Sequence, residues 1–158
     1  MSEPTVPIGE AMVGGTADSL LDEQGHGVLS LATGNRAYGI PMSYGYDGDH
    51  DRIVMQFVNG PESKKEQLIR EVEEATLTVY NYDSPQSWES VIVRGAVEAL
   101  PSKEVSDRFA SLFFAQAEDA AGSVRWEGRE DVAVTWYALL IDEVSGRRAG
   151  GLPHRTAE

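Results

Sequence analysis

Residues 25–58 read GHGVLSLATGNRAYGIPMSYGYDGDHDRIVMQFV, and the pattern of this segment indicates an antiparallel β fold. It predicts three consecutive strands, at residues 28–32, 37–46 and 53–58, joined by short polar turns. Gly34-Asn35 is a tight-turn pair typical of a hairpin, and Asp47-Gly48-Asp49 turns the chain a second time. The third segment is an almost unbroken apolar run, which indicates a strand buried on both faces.

The flanking sequence adds further strands and helices to this antiparallel start. We predict helices at residues 17–23 and 63–74 and after Ser102, and strands at residues 75–80, 88–100 and 132–141. Gly95 lies within a predicted strand, where it indicates a bulge or a close backbone approach. Consecutive hairpins with a single short crossover helix favour a mainly β fold, a six-stranded antiparallel barrel with flanking helices.

The length of 158 residues fits a single domain. We expect an N-terminal arm over residues 1–16, the barrel domain over residues 17–145 and a polar C-terminal tail over residues 146–158. The longest uncharged stretch, residues 24–35, is far shorter than the roughly 20 apolar residues of a membrane-spanning helix. No signal-peptide pattern opens the sequence, so we expect a cytoplasmic protein.

The charge is strongly acidic, with 26 Asp and Glu against 13 Lys and Arg and a net charge of -13. Such a field repels nucleic acids and anionic membranes, so we expect neither as a partner. An acidic excess with few lysines is typical of a halophilic protein, because molar salt shortens the Debye length to about 3 Å and screens the carboxylates. An ordinary acidic protein with a soluble surface is the alternative.

Several common kinds of site find no support in the sequence. The absence of cysteine excludes disulfides, thiolate metal sites and cysteine nucleophiles. Asp47, Asp49 and Asp51 alternate without the glycine and glutamate of a calcium loop, so a turn with solvated carboxylates is favoured. The histidines have no paired spacing, and we expect no metal site, although haem ligation by one of them stays open. No catalytic residue is identified.

One motif points to an anion site, at the start of the predicted second helix. Lys64 and Lys65 lie in its first turn, where the helix dipole disfavours cations unless an anion binds there. The Ser63 hydroxyl and free backbone N–H groups complete a candidate phosphate site. Alternatively, Ser63 and Glu66 form a capping box and the lysines are merely solvated. The two interpretations are compatible.

Aromatic residues form a second candidate constellation on adjacent predicted strands. A planar ligand can stack on them, and core packing explains most of them equally well. They are Tyr38, Tyr44, Tyr46, Phe57, Tyr80, Tyr82 and Trp88.

Six segments together resemble the split-barrel flavoproteins of the pyridoxamine 5′-phosphate oxidase-like superfamily. The order and spacing of these segments carry the resemblance, which is strongest to the nitroimidazole-resistance-reductase-like branch, here of haloarchaeal type. The segments are GHGVLSLAT (25–33), RAYGIPMSYGYDGD (36–49), RIVMQFV (52–58), SKKEQLI (63–69), SWESVIVRGAVEAL (87–100) and WYALLIDEVSGRR (136–148).

The resemblance implies an FMN-binding split barrel that acts as an oxidoreductase on an unknown small-molecule substrate or NAD(P)H. It also implies a homodimer with flavin sites at the interface, in which Trp136 or Arg147 of the second copy completes each site. By resemblance, the phosphate is held by Ser63, Lys64 and Lys65. The ring and ribityl chain are contacted by Ile40, Pro41, Met42, Ser43, Phe57 and Val58, and the ring edge by Trp88 and Ser90.

Two other functions fit the same resemblance. One is a reductase that uses the deazaflavin F420, and the other is a carrier or sensor that binds flavin or haem without turnover. The sequence also departs from the pattern of this family, and it offers no convincing match to the C-terminal basic and aromatic residues that bind the substrate phosphate in true pyridoxamine phosphate oxidases. Gln56-Phe57-Val58 lacks the histidine of the nitroimidazole branch, and residues 39–44 lack the arginine and lysine of true pyridoxamine phosphate oxidases. Pyridoxamine phosphate oxidation itself is therefore not implied.

Overall fold

The computed structural model describes residues 9–12, 15–59, 64–101 and 133–150. These ranges contain seven strands and two α-helices, and a short 3-10 turn, Gly48–His50, joins β3 to β4. Neither described helix is long and apolar enough to cross a membrane. In chain order, the elements are β1 (Gly9–Ala11), α1 (Thr16–Glu23), β2 (His26–Thr33), β3 (Arg36–Asp47), β4 (Arg52–Asn59), α2 (Lys64–Glu71), β5 (Glu74–Ser84), β6 (Ser87–Leu100) and β7 (Ala133–Ala149).

All strand pairs are antiparallel, and the sheet order is β1-β7-β4-β3-β2-β5-β6. An additional pairing of β7 with β6 closes six of the strands into a barrel. The predicted six-stranded antiparallel barrel is therefore confirmed. The seventh strand, β1, pairs with the end of β7 and lies within the segment predicted to be a loose arm.

The barrel encloses one main apolar core, because alternate residues of each strand point inward. Two leucines of α1, Leu20 and Leu21, and Ile69 of α2 pack against this core. The buried strand residues are Leu29, Leu31, Ile40, Met42, Tyr44, Ile53, Met55, Phe57, Ala75, Leu77, Val79, Val91, Val93, Tyr137 and Leu139.

Strand β4 is buried on both faces, as its apolar run predicts. Ile53 and Met55 point into the main core, whereas Val54 between them belongs to a second cluster with Leu100, Trp136 and Ala138. None of the three β4 side chains is exposed to solvent. Both faces of this strand therefore contribute to stability through apolar burial.

The two predicted turns are confirmed, with one correction. Thr33 pairs with Arg36, and Gly34 has a φ of +59°, so Gly34-Asn35 is a two-residue hairpin turn. At the second turn the Asp47 carboxylate is buried rather than solvated, and its burial is compensated by a hydrogen bond from Arg52 Nε at 3.2 Å and a contact with His50 Nδ1 at 3.1 Å.

Several element ends differ from the sequence prediction, and β5 continues to Ser84 instead of ending at residue 80. The second helix ends at Glu71 rather than residue 74, because β5 begins at Glu74 and pairs with β6. The last strand continues past Ile141 and past residue 145 to Ala149, because its backbone pairs with β6 and β1. Long-range strand pairing, which sequence periodicity does not report, sets these ends. The helix predicted after Ser102 lies outside the described residues.

Gly95 is required where β6 passes β7. The register of this strand pair shifts between Arg94 and Gly95, and a Cβ atom on Gly95 would lie 1.8 Å from the Leu140 carbonyl oxygen. Both the predicted bulge and the predicted close approach are confirmed. Since the obstacle is backbone, no side-chain movement relieves the clash.

We expect Gly95→Ala to lower the free energy of unfolding by at least about 2 kcal/mol, because the added methyl group forces two strands apart. Denaturant unfolding measures this change. Gly39→Ala is the matched control, since a Cβ there meets only Val28 Cγ1 at 3.4 Å. A Gly95→Ala protein as stable as the control would contradict this account of the strand crossing.

Candidate functional site

One face of α2, next to the face that packs on the core, forms one wall of a cleft. Ile69 is buried and fixes the helix on the barrel. Since an α-helix has 3.6 residues per turn, Lys64, Gln67, Leu68 and Glu71 then share another face. These four residues and Thr33, Arg36, Ala37 and Tyr38 of the β2–β3 hairpin line a cavity of about 520 Å³.

The cleft carries two cations in a strongly acidic chain. Lys64 and Arg36 approach it from α2 and β3, and both side chains are exposed. Among its described lining residues, Glu71 is the single carboxylate. Tyr38 is 40% exposed and presents its ring to the same space. The arrangement suits a ligand that combines an anionic group with a planar surface.

Lys65 lies on a different side of the helix from Lys64. Its Nζ atom is 5.8 Å from the centroid of the Phe57 ring, a distance that permits a cation–π interaction. Phe57 packs in turn on Tyr137, with ring centroids 5.2 Å apart and an interplanar angle of 56°. The two lysines of the predicted phosphate motif therefore do not point to one place.

The Glu66 carboxylate connects α2 to β7. It accepts a hydrogen bond from Thr135 Oγ1 at 3.3 Å and a longer one from the Tyr137 hydroxyl at 3.5 Å, and it pairs with Arg70 on the next turn. Burial raises the pKa of Tyr137, and the Glu66 charge raises it further. Ser63, the partner of Glu66 in the predicted capping box, lies outside the described residues.

The predicted ring-contacting residues of β3 split between the two faces of the sheet. Ile40 and Met42 point into the core, so only their backbones are available to a ligand. Pro41 and Ser43 lie on the outer face, paired with Val28 and His26 of β2. Val58, at the end of β4, is half-buried.

Trp88 and Ser90 lie in a second group of residues on β5 and β6. Ser90 pairs with Tyr80 and Trp88 pairs with Tyr82, so the four side chains share one face of the sheet. Tyr80 and Tyr82 are each 60% exposed. This aromatic block, with Thr78, Asn81 and Glu89, lines a shallow cavity of about 260 Å³.

The cleft and the aromatic block lie at opposite ends of the β2–β3 hairpin. The strand pairs Thr33–Arg36 and His26–Ser43 are seven residues apart, which is about 23 Å at the rise of a β-strand. The β2–β5 register places Tyr80 level with His26, at the far end from the cleft. The predicted site residues therefore form two groups within one chain.

Sequence reasoning missed Thr33 and Arg36 of the cleft, whereas it named Tyr38 among the aromatic residues on which a planar ligand can stack. The signal that could have found them was a cation directly after a hairpin turn, next to an exposed aromatic residue. Of the other predicted aromatic residues, Tyr44 and Phe57 are core residues, and Tyr46 donates a hydrogen bond to Asp18. Within the described ranges, no cluster of three histidine or acidic side chains could hold a metal ion.

Residues 15–148 match the model of the protein family described as pyridoxamine 5′-phosphate oxidase. The match covers most of the chain. No curated protein has a sequence that matches this chain.

Solved structures share the fold at low sequence identity. An FAD-binding protein from Mesorhizobium loti has a TM-score of 0.72 and 19% identity, over 90% of this chain and 99% of that one. A Bacteroides thetaiotaomicron structure, named for 5-nitroimidazole antibiotic resistance, has a TM-score of 0.68 and 15% sequence identity. The match covers 96% of this chain and 95% of that one. An FAD- and haem-binding protein from Mycobacterium smegmatis has a TM-score of 0.65 and 19% sequence identity. The match covers 88% of this chain and 72% of that one. These similarities establish the split-barrel fold.

The raised pKa of Tyr137 makes stability depend on alkaline pH. The folded state keeps the phenol protonated where the unfolded chain, with a pKa of about 10, releases the proton, so stability falls as pH rises above about 10. We expect Tyr137→Phe to reduce this fall, by at most about 1.4 kcal/mol per pH unit. Denaturant unfolding between pH 9 and 11.5 measures it, with Tyr82→Phe as the exposed control. An unchanged slope would contradict the raised pKa of Tyr137, to which burial contributes most and the Glu66 charge adds.

Proposed function

Because the chain belongs to the pyridoxamine 5′-phosphate oxidase family, we propose that it is an FMN-binding oxidoreductase. The observation that carries the proposal is the convergence of Lys64 and Arg36 on the cleft between α2 and the β2–β3 hairpin. In a chain of net charge -13, two cations around one cavity create a local exception that favours an anion.

The cleft fits the phosphate end of FMN. Lys64 contributes a point charge, and Arg36 contributes a planar fork of donors that matches phosphate oxygens. The cavity of about 520 Å³ also falls in the usual range for small-molecule sites. Ser63, predicted to donate its hydroxyl to the phosphate, precedes α2 directly in sequence.

Strand β3, next to the cleft, fits the flavin ring. Tyr38 presents an exposed ring beside the cleft, and the backbone from Ile40 to Ser43 continues from it along the strand. FMN, when bound, supplies the redox chemistry, and the protein supplies binding, orientation and charge. The substrate is a small molecule or NAD(P)H.

The separation of the predicted site residues into two distant groups favours a homodimer with flavin sites at its interface. Trp88 and Ser90 are too far along the sheet from Lys64 to contact the same bound FMN within one chain. A second copy brings its own Trp88 and Ser90 to the ring edge. Two exposed apolar side chains on the outer face of β5 and β6 are suited to burial against that copy, Tyr80 at 60% exposed and Ile92 at 44%.

The cleft also argues against the deazaflavin alternative. F420 has a longer, acidic tail that needs a longer basic groove, and the described lining residues offer only Lys64 and Arg36 as cations. The haem- or flavin-carrying alternative differs from an enzyme in turnover, which oxidation of NAD(P)H by the FMN-loaded protein measures. Four properties of this protein stay predictions from the sequence: the nitroimidazole-resistance-like branch, the haloarchaeal type, the cytoplasmic location and the halophilic character.

We expect Lys64→Ala to raise the Kd for FMN at least about tenfold, which corresponds to about 1.4 kcal/mol, because a phosphate partner is lost. Fluorescence titration of the flavin-free chain measures it. Riboflavin, which has no phosphate, should bind both proteins equally. Arg94→Gln on β6, whose side chain pairs with Glu143, is the control variant. An FMN affinity unaffected by Lys64→Ala would exclude the cleft as the phosphate site.

We expect Ile92→Asp to convert a dimer into monomers and to weaken FMN binding at least about tenfold, since a buried unpaired charge is costly. Sedimentation velocity measures the oligomeric state. Val144→Asp is the matched control, because Val144 is 41% exposed but pairs with Val93, on the opposite face of the sheet from Ile92. A dimer that survives Ile92→Asp with full FMN affinity would rule out this interface.

A further inference from the structure

The rotation of α2 about its axis decides which lysine faces the cleft. Successive residues of an α-helix are about 100° apart, so Lys64 and Lys65 leave the helix in different directions. In the structure Lys64 lines the cleft and Lys65 lies over the Phe57 ring. A helix of eight residues is too short to be stable on its own, so tertiary contacts both stabilise it and set its orientation.

Glu66 makes the polar contacts that fix this orientation. Its side chain is only 13% exposed, although Lys64 and Arg70 on the same helix are exposed. Two hydroxyl groups of β7, those of Thr135 and Tyr137, donate to its carboxylate, and Arg70 neutralises it from the following turn. Ile69 adds the apolar anchor in the core.

We propose that Glu66 is a positioning residue that orients α2 so that Lys64, and not Lys65, reaches the FMN phosphate. The inference rests on the proposed FMN site and specifies how it is built. Glu66 acts through Lys64 and does not touch the flavin. It also places a negative charge near an anion site, which a solely electrostatic design would avoid.

Because Glu66 is negatively charged, the direction in which its removal changes the Kd for FMN tests the proposal. If Glu66 acted only through its field, Glu66→Ala would tighten FMN binding. If it positions the helix, we expect Glu66→Ala to raise the Kd for FMN about tenfold. Glu71→Ala is the matched control, because this carboxylate lines the cleft on the same helix, and its removal should lower the Kd. Glu66→Gln keeps an oxygen acceptor for Thr135 and Tyr137 and should restore the wild-type Kd to within about threefold.

A double-mutant cycle tests whether Glu66 acts on FMN binding through Lys64. In the Lys64→Ala background we expect Glu66→Ala to cause no further rise in the Kd for FMN. In the Lys65→Ala background we expect Glu66→Ala to cause the full tenfold rise. Tighter FMN binding by Glu66→Ala, or losses that add independently to that of Lys64→Ala, would overturn the proposal. If Glu66→Ala does not fold, Thr135→Val combined with Tyr137→Phe removes both donors instead, and we expect a rise in Kd of about threefold.

A flavin-independent readout separates this proposal from the proposed function. Alkaline titration of tyrosine absorbance should show a lower pKa for Tyr137 in Glu66→Ala than in the wild type, because the charge that raises it is gone. If the wild type binds no FMN but this pKa falls, the FMN site fails and the anchoring of α2 stands. An unchanged pKa would overturn the anchoring itself.

Discussion

Backbone pairing along both edges of β7 holds the molecule closed. One edge pairs with β4 and the other with β6, so a single strand converts an open sheet into a barrel around one apolar core. The closure requires β6 and β7 to pass closely at Gly95, where only a residue without a side chain fits. The same strand presents Thr135 and Tyr137 to Glu66. The position of α2, and through it the cleft, therefore depends on the strand that closes the barrel.

Charge distribution is the second constraint on the molecule. A net charge of -13 repels anions in general, so an anionic cofactor needs a local arrangement of cations. Lys64 and Arg36 provide it where a helix and a hairpin meet. Lys65 and Arg70 are directed elsewhere, towards Phe57 and Glu66. The position of each cation, rather than the total number, determines what the cleft can hold.

Local patterns in the sequence predicted most of the barrel and part of the site. The Gly34-Asn35 turn, the doubly buried β4 and the bulge at Gly95 each leave a signature within a few residues, and all three are confirmed. The pairing of β1 with the end of β7 leaves none, because it joins residues far apart in the chain. The site shows the same division. Lys64 was found from its place in a motif, whereas Arg36 and the different direction of Lys65 depend on how α2 packs on the barrel.

We propose that this barrel holds FMN, with its phosphate in the cleft of Lys64 and Arg36. The most direct measurement is the absorption spectrum of the purified full chain, followed by the mass of the chromophore released on denaturation. We expect flavin bands and the mass of FMN, at one flavin for each chain. A mass of FAD or of a deazaflavin would contradict the assignment of the cofactor. A colourless protein that stays colourless after incubation with FMN would contradict the function itself.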